Sequence, residues 1–434
     1  MKTFMGNNHK PGFLKIFFIG FLVYLLGGFP TLAFALPQGG SVVSGDATID
    51  STSQDMVINQ DTNKLIVNWD SFDINTTESV QFIQPGSGSI ALNRVFGIDP
   101  SLILGTLTAN GQVFIVNPSG VFFGPNARVD VHGLLATTLQ ISNQDFLNGQ
   151  YNFYQDPNFS LASVINQGEI TVSGYVGLLA PAVINEGTIV ANLGSIALGS
   201  AEAATVDFSG DGLINFMLTQ EVSGTVTDAD GNIIDDRVSN SGLIQADGGQ
   251  VILTAKDAGD VIRKVVNNTG IIEAHTVEER EGRIFLSGGD SGMVSSSGTL
   301  DASGDDAGET GGTVEVLGAE VELIDTANVD VSGDAGGGTA LIGGDFLAHA
   351  GGAPLRRLHA VPGQSGLLGD AALGAAELIT GSRQALDELL ALGGIAAAGV
   401  KVIPQHDEGG EILLPSDDAV DVVVLLGSQL EIEA

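Results

Sequence analysis

Residues able to do acid–base or metal chemistry are spread thinly along the 434-residue chain. The six histidines, His9, His132, His275, His349, His359 and His406, are scattered, with no metal-ligand spacing among them. There is no nucleophile elbow, phosphate loop or dinucleotide fingerprint. The nearest approach to an acid–base set is Asp257, Asp260 and Arg263 in AKDAGDVIRK. Cleaving a polysaccharide needs two carboxylates, or a carboxylate-held cation with a basic residue, converging on one face. Three such groups in one short turn read first as a solvated loop. Asp305, Asp306, Glu309 and Asp334 lie in glycine-rich stretches whose oxygens would suit Ca²⁺. Their order matches neither an EF-hand nor the nonapeptide calcium repeat, so solvated acidic turns are expected. No catalytic residue, cofactor or metal is assigned, and the chain is read as a non-enzyme.

What the sequence does carry is corner chemistry, concentrated at Asn117-Pro118-Ser119-Gly120. Pro118 fixes the first corner of a tight turn, Gly120 tolerates positive φ, and the Asn117 side chain can fold onto nearby backbone. The flanking runs Val113–Val116 and Val121–Phe123 are β-branched and aromatic, so each is expected to be a strand. A second punctuation, Gly124-Pro125-Asn126, precedes Val129-Asp130-Val131. Strand, corner, strand, corner, strand is the rhythm of one coil of a β-solenoid. Asn93-Arg94 is a second candidate corner, where Arg94 is expected to satisfy backbone carbonyls or pair with a carboxylate.

Composition narrows the function classes. Asp and Glu number 52 against 16 Lys and Arg, for a net charge of −36, and no basic block exceeds a pair. Binding to nucleic acid or an anionic membrane is thereby disfavoured. Residues 1–35 have the form of a secretory leader: Lys2, Lys10 and Lys15, then the apolar run Ile16–Leu26, then breakers and Ala33-Phe34-Ala35. Cleavage is expected before Leu36. The absence of cysteine suits a chain that crosses a second barrier unfolded.

Residues 37–85 alternate as short strands and turns, with Trp69 and Phe72 expected to cover the open end of a core. From residue 161 to 344 a unit of the form Asn-x-Gly-x-Ile, followed by Gly and an alternating strand, recurs. Its copies begin at Asn166, Asn185, Asn240, Asn268, Ser296 and Asp325, spaced 19, 55, 28, 28 and 29 residues apart. The long step is expected to hold an insertion near 206–237. Each unit is expected to have two strands, whose inward residues, such as Ile244, Val251 and Leu253, need neighbouring coils to bury them. The recurring Asn residues are placed to stack as a hydrogen-bonded ladder. Past Gly344 the unit stops. Helix is expected within Ala371–Leu392, from Leu386, Leu389 and Leu390, and a strand at Val420–Leu426. A frameshifted, truncated or atypical end is one explanation for residues 345–434.

Residues 37–140 resemble the N-terminal secretion domain of filamentous-haemagglutinin-type exoproteins, exported by two-partner secretion. The matching residues are Trp69, Phe72, Phe82, Gln84, Asn93-Arg94-Val95, Gly105, Leu107, Asn110-Gly111, Asn117-Pro118, Gly120, Phe123-Gly124, Ala127, Val129 and Gly133-Leu134. The family's Asn-Pro-Asn-Gly hallmark has Ser119 at its third position here, and the Asn-Pro-Asn-Leu element of some members is absent. The resemblance implies an all-β chain, a right-handed parallel β-helix capped at its N-terminus; the irregular, partly helical C-terminal segment expected after it has no counterpart in the resemblance. Its expected divisions are a leader at 1–35, the secretion domain at 36–140, repeats at 141–344 and an atypical segment at 345–434. The resemblance further implies a haemagglutinin- or adhesin-like secreted exoprotein. Its partner would be an outer-membrane barrel transporter whose periplasmic POTRA domains bind the unfolded secretion domain. A host or surface glycan or protein receptor would follow. Asn93, Arg94, Asn117, Pro118, Ser119 and Gly120 are the expected recognition or fold motif. The competing classes are a β-helix polysaccharide-active enzyme and a truncated fragment that serves only as a transporter ligand.

Overall fold

A computed structural model describes residues 36–343, apart from 209–213, 229–230, 259–263 and 325, together with three short strands further on. The chain divides into two units, residues 1–35 and Leu36–Ala434, and everything described lies in the second. The central coils show why the sequence winds. Ala182–Asn185, Thr188–Val190 and Ser195–Ser200 make one turn of chain, and Val238–Asn240, Leu243–Gln245 and Gln250–Ala255 make the next. All three pairs are parallel and in register, with Val183 beside Val238, Ile189 beside Ile244 and Ile196 beside Val251. The result is a parallel β-helix, with strands in one sheet of 20 and another of eight.

Inward positions stack into columns. One runs Met56, Val80, Leu107, Val129, Ile170, Ile189, Ile244, Ile272, Leu300, Val329 through successive parallel partners. Every member but Val329 is buried, and burying each such side chain contributes about 1.5–3 kcal/mol. Each repeat has three strands rather than the two legible in sequence. The third is the short strand that ends on the recurring Asn, as in Val238–Asn240 and Lys264–Asn268. At three to five residues it is too short for its alternation to stand out.

The N-terminal end is closed by antiparallel strands, Ser41–Ser44 against Lys64–Trp69 and Ala47–Ser51 against Asp55–Gln60. Trp69 and Phe72 lie beneath this cover as core residues, their ring centroids 5.5 Å apart and edge to face. Gly40 passes so close over Trp69 that a Cβ there would sit 2.5 Å from the ring. A second apolar cluster covers the outside of the early coils. Ile66, Leu92, Phe114, Leu135 and Tyr175 pack there beneath the helix Asn143–Asn148 and the antiparallel strands Asn152–Tyr154, Ala203–Asp207 and Asn215–Gln220. The long step between repeats therefore holds a covering hairpin, while the coils on either side of it pair directly.

Further on, Glu377–Thr380, Val400–Val402 and Val422–Leu425 form an antiparallel sheet. Within the stretch where helix was expected, Glu377–Thr380 is thus strand. Ile379 and Thr380 are β-branched and pair with the β-branched run Val422–Val424. Leu386, Leu389 and Leu390 lie outside the described residues.

Candidate recognition corners of the early coils

The structure brings the two sequence motifs together. Asn93 and Arg94 do not form the corner expected of them: they lie in the strand Ile90–Val95, which pairs in parallel with Gln112–Val116, with Arg94 opposite Val116. The turn Asn117–Gly120 follows at once, so both motifs sit at one edge of adjoining coils.

Asn93 points into the core. Its Oδ1 accepts the Trp69 indole N–H at 3.0 Å, and its Nδ2 donates to the Ala91 and Phe114 carbonyls at 3.3 Å each. It is fully buried, and a buried amide with these bonds ties the capped first coil to the next two. Arg94 points to the other face. Its guanidinium donates to the Ile141 carbonyl at 2.6 Å and to Asn143 Oδ1 at 2.7 Å. Of its two expected roles it takes the backbone one, holding the start of the covering helix, and burial lowers its pKa from the ordinary value.

Asn117 is fully buried and closes the corner. Its Oδ1 accepts the Ser119 N–H at 2.9 Å, and its Nδ2 donates to the Asp99 carbonyl and to Ser101 Oγ, both at 3.0 Å. Gly120 stands at φ 124°, in the region that favours glycine, and its N–H donates to the Asn117 carbonyl at 3.0 Å. Ser119 contributes its backbone N–H to this turn, so Ser in place of Asn leaves the Asn117 Oδ1 bond intact.

The other sequence candidates have different fates. Asp257 is not in a solvated turn: it is buried in an ion pair with Arg237, Nε to Oδ1 2.6 Å, because the covering insertion folds back over it. Asp260 and Arg263 lie outside the described residues. Glu309 is buried rather than solvated, because its carboxylate accepts the N–H groups of Glu278 and Asp306 at 2.7 and 3.2 Å, while Asp334 accepts that of Gly308 at 2.8 Å. His132 is half-buried, with Nδ1 2.8 Å from Ser173 Oγ.

The ladder expected of the recurring Asn residues forms, with four amides and a closing hydroxyl: Asn166 to Asn185, Asn185 to Asn240 and Asn240 to Asn268 at 2.8 Å each, then Asn268 to Ser296 Oγ at 3.2 Å. One arrangement escaped sequence reading. His275 stands between carboxylates of two other coils, Nδ1 2.7 Å from Asp247 Oδ1 and Nε2 3.5 Å from Asp301 Oδ2. Those bonds raise its pKa from 6.5 to about 10. The spacing of 28 residues from Asp247 to His275 equals the repeat, which is the signal that would have found it.

Comparison with known proteins bears on these corners. A model of the TPS secretion domain matches residues 33–305. Two heme/hemopexin-binding proteins of Haemophilus influenzae are each 34% identical to the chain, over 262 and 270 residues. Those stretches are 59% and 58% of this chain but 27% and 28% of the relatives. The chain thus spans about a quarter of the length of the curated relatives it matches. The crystal structure of the HMW1 secretion domain from Haemophilus influenzae is similar at a TM-score of 0.62 and 32% identity. The similarity covers 73% of this chain and 78% of that one.

Proposed function

The chain belongs to the TPS secretion domain family, and from that premise we propose that it is the exported part of a two-partner secretion system, carried to the cell surface or beyond. Its leader, residues 1–35, directs it to the periplasm. There an outer-membrane barrel transporter with periplasmic POTRA domains takes up residues 36–140, before the coils have closed. The observation that carries this reading is the family match across residues 33–305, reinforced by the likeness in fold to the HMW1 secretion domain.

The winding of the chain supplies a physical mechanism. A coil gains pairing only from its neighbours, so a formed coil is the template for the next. The antiparallel cover at Ser41–Ser51 closes one end, and coils added from there need no other nucleus. Outside the cell, an adhesin-like role toward a glycan or protein receptor is the companion proposal. The heme/hemopexin-binding names of the relatives point to a host protein of that kind. A polysaccharide-active alternative is less well supported. The open groove of about 310 Å³ lined by Gln81, Ile83, Thr108, Asn110 and Asp130 offers one carboxylate where such chemistry needs two groups.

Co-expression with the transporter tests the reading. Full-length protein should reach the medium or cell surface only when the transporter is present. Equal export without it would remove the two-partner assignment.

A further inference from the structure

The open groove on the early coils holds its polar groups in a definite order. Gln81, Thr108 and Asp130 are direct partners in three adjoining parallel strands, Ser79–Ile83, Thr106–Ala109 and Arg128–Thr137. Their side chains therefore leave one face of the sheet in a straight row, with neighbours about 4.8 Å apart. Gln81 and Asp130 are exposed and Thr108 is half-buried. Among the described residues none of the three side chains has a hydrogen bond or ion pair within the protein. In the outward row beside them, by contrast, Arg128 and Glu169 pair with each other. The wall of the groove is fixed. Asn110 Oδ1 accepts the Gln84 N–H at 2.7 Å, and its Nδ2 donates to the Gln84 carbonyl at 2.8 Å. Ile83, 47% exposed, gives the groove an apolar surface.

An amide, a hydroxyl and a carboxylate together offer donors and acceptors but only one negative charge. That set rules out most occupants. A calcium ion takes about 6–8 oxygen ligands. A polyanion is repelled by a chain of net charge −36. A protein partner needs a far larger buried core than one isoleucine provides. What fits is an uncharged polyol with C–H faces, which is a sugar. Its hydroxyls can donate to both Asp130 oxygens and exchange bonds with Gln81 and Thr108 while a ring face lies on Ile83. A straight row with one polar group per coil matches an extended β-linked chain, whose rings repeat along a line, whereas an α-1,4-linked chain curls away from it. The volume of about 310 Å³ is at the lower end of small-ligand sites, so the bound stretch is short. Resting on the surface display argued above, we propose that this groove binds a neutral, β-linked oligosaccharide. The row exists only once the coils have paired, so the site forms after export.

Binding of cellotetraose to the purified full chain, followed by ligand-observed NMR titration, tests the proposal. Gln81→Ala with Asp130→Ala should weaken binding by about ten-fold. The melting temperature should stay that of the parent, because neither side chain has a partner to lose. Asp50→Ala with Gln144→Ala removes an exposed carboxylate and an exposed amide elsewhere and should bind as the parent does. Maltotetraose should bind more weakly than cellotetraose. Parental affinity in the groove variant, equal loss in both variants, or equal affinity for the two sugars overturns the proposal. A parent that binds neither sugar overturns it too; if that parent still needs the transporter to reach the medium, the export reading stands.

Discussion

Asn185, Asn240 and Asn268 are buried amides whose bonds run along the helix axis, each linking one coil to the next. Removing an inner rung strands two groups at once. Asn240→Ala leaves Asn185 Nδ2 and Asn268 Oδ1 without their ladder partner, and a buried unsatisfied group costs about 1–3 kcal/mol. We expect a loss of roughly 2–4 kcal/mol in urea unfolding. Ser296→Ala, at the end of the ladder, breaks one bond and should cost about 1 kcal/mol; equal losses for the two would show that the ladder is not a unit. His275 acts across coils in a different way. The carboxylates of Asp247 and Asp301 raise its pKa to about 10, so protonation stabilises the fold. That stabilisation is fully present below the ordinary value of 6.5 and is lost as pH rises through about 10. For Asp247 and Asp301, burial pushes the carboxyl up, but hydrogen bonds, from His275 first, hold both below their usual value. Their contribution is present above the usual carboxylate value and fades as pH falls through the depressed one. Melting temperatures followed from pH 6 to 10 should decline in the parent and be flatter in His275→Gln. Parallel profiles would exclude the clamp.

Among elements, the insertion is fastened to the coils by a buried ion pair. Arg237 and Asp257 have side chains that are 1% and 2% exposed, and Arg237 also donates to the Gly224 carbonyl at 3.1 Å. Removing the guanidinium from a buried carboxylate typically costs about 3–5 kcal/mol, whereas replacing both charges by apolar groups is often neutral. Arg237→Leu should therefore be strongly destabilising in thermal unfolding, and Arg237→Leu with Asp257→Leu should recover most of the loss. A double variant as unstable as the sum of the singles would mean that the charges are not coupled. The same element explains a feature of the early strands. Gln112–Val116 reads as an apolar run rather than an alternating strand, and Ile90–Val95 carries apolar side chains on both faces, because both faces are covered, one by the core and one by the second cluster.

The whole molecule is strongly anionic, with a net charge of −36, so self-repulsion opposes compactness. Between ~10 mM and ~150 mM NaCl the screening length falls from about 30 Å to about 8 Å. Exposed pairs such as Arg128–Glu169 and Arg283–Glu315 also weaken in salt, but each is worth at most about 1 kcal/mol. Relief of repulsion should dominate, and the melting temperature should rise over this range; a fall would mean that the local pairs outweigh the global charge. How far the molecule could be read in advance follows from the range of each interaction. Turn chemistry at Asn117–Gly120, the inward alternation of Ile244, Val251 and Leu253, and the recurrence of Asn every coil are local or periodic. A one-dimensional pattern therefore determined the β-helix, its repeats and the ladder of amides. The third strand of each coil was too short to declare itself. The partners of Arg94, the burial of Asp257 and the row of Gln81, Thr108 and Asp130 belong to the tertiary structure alone. Each is settled by a segment distant in sequence, the helix at 143–148, the insertion before Arg237 and the neighbouring coils, and chain folding brings such segments together without leaving any local mark on the residues they meet.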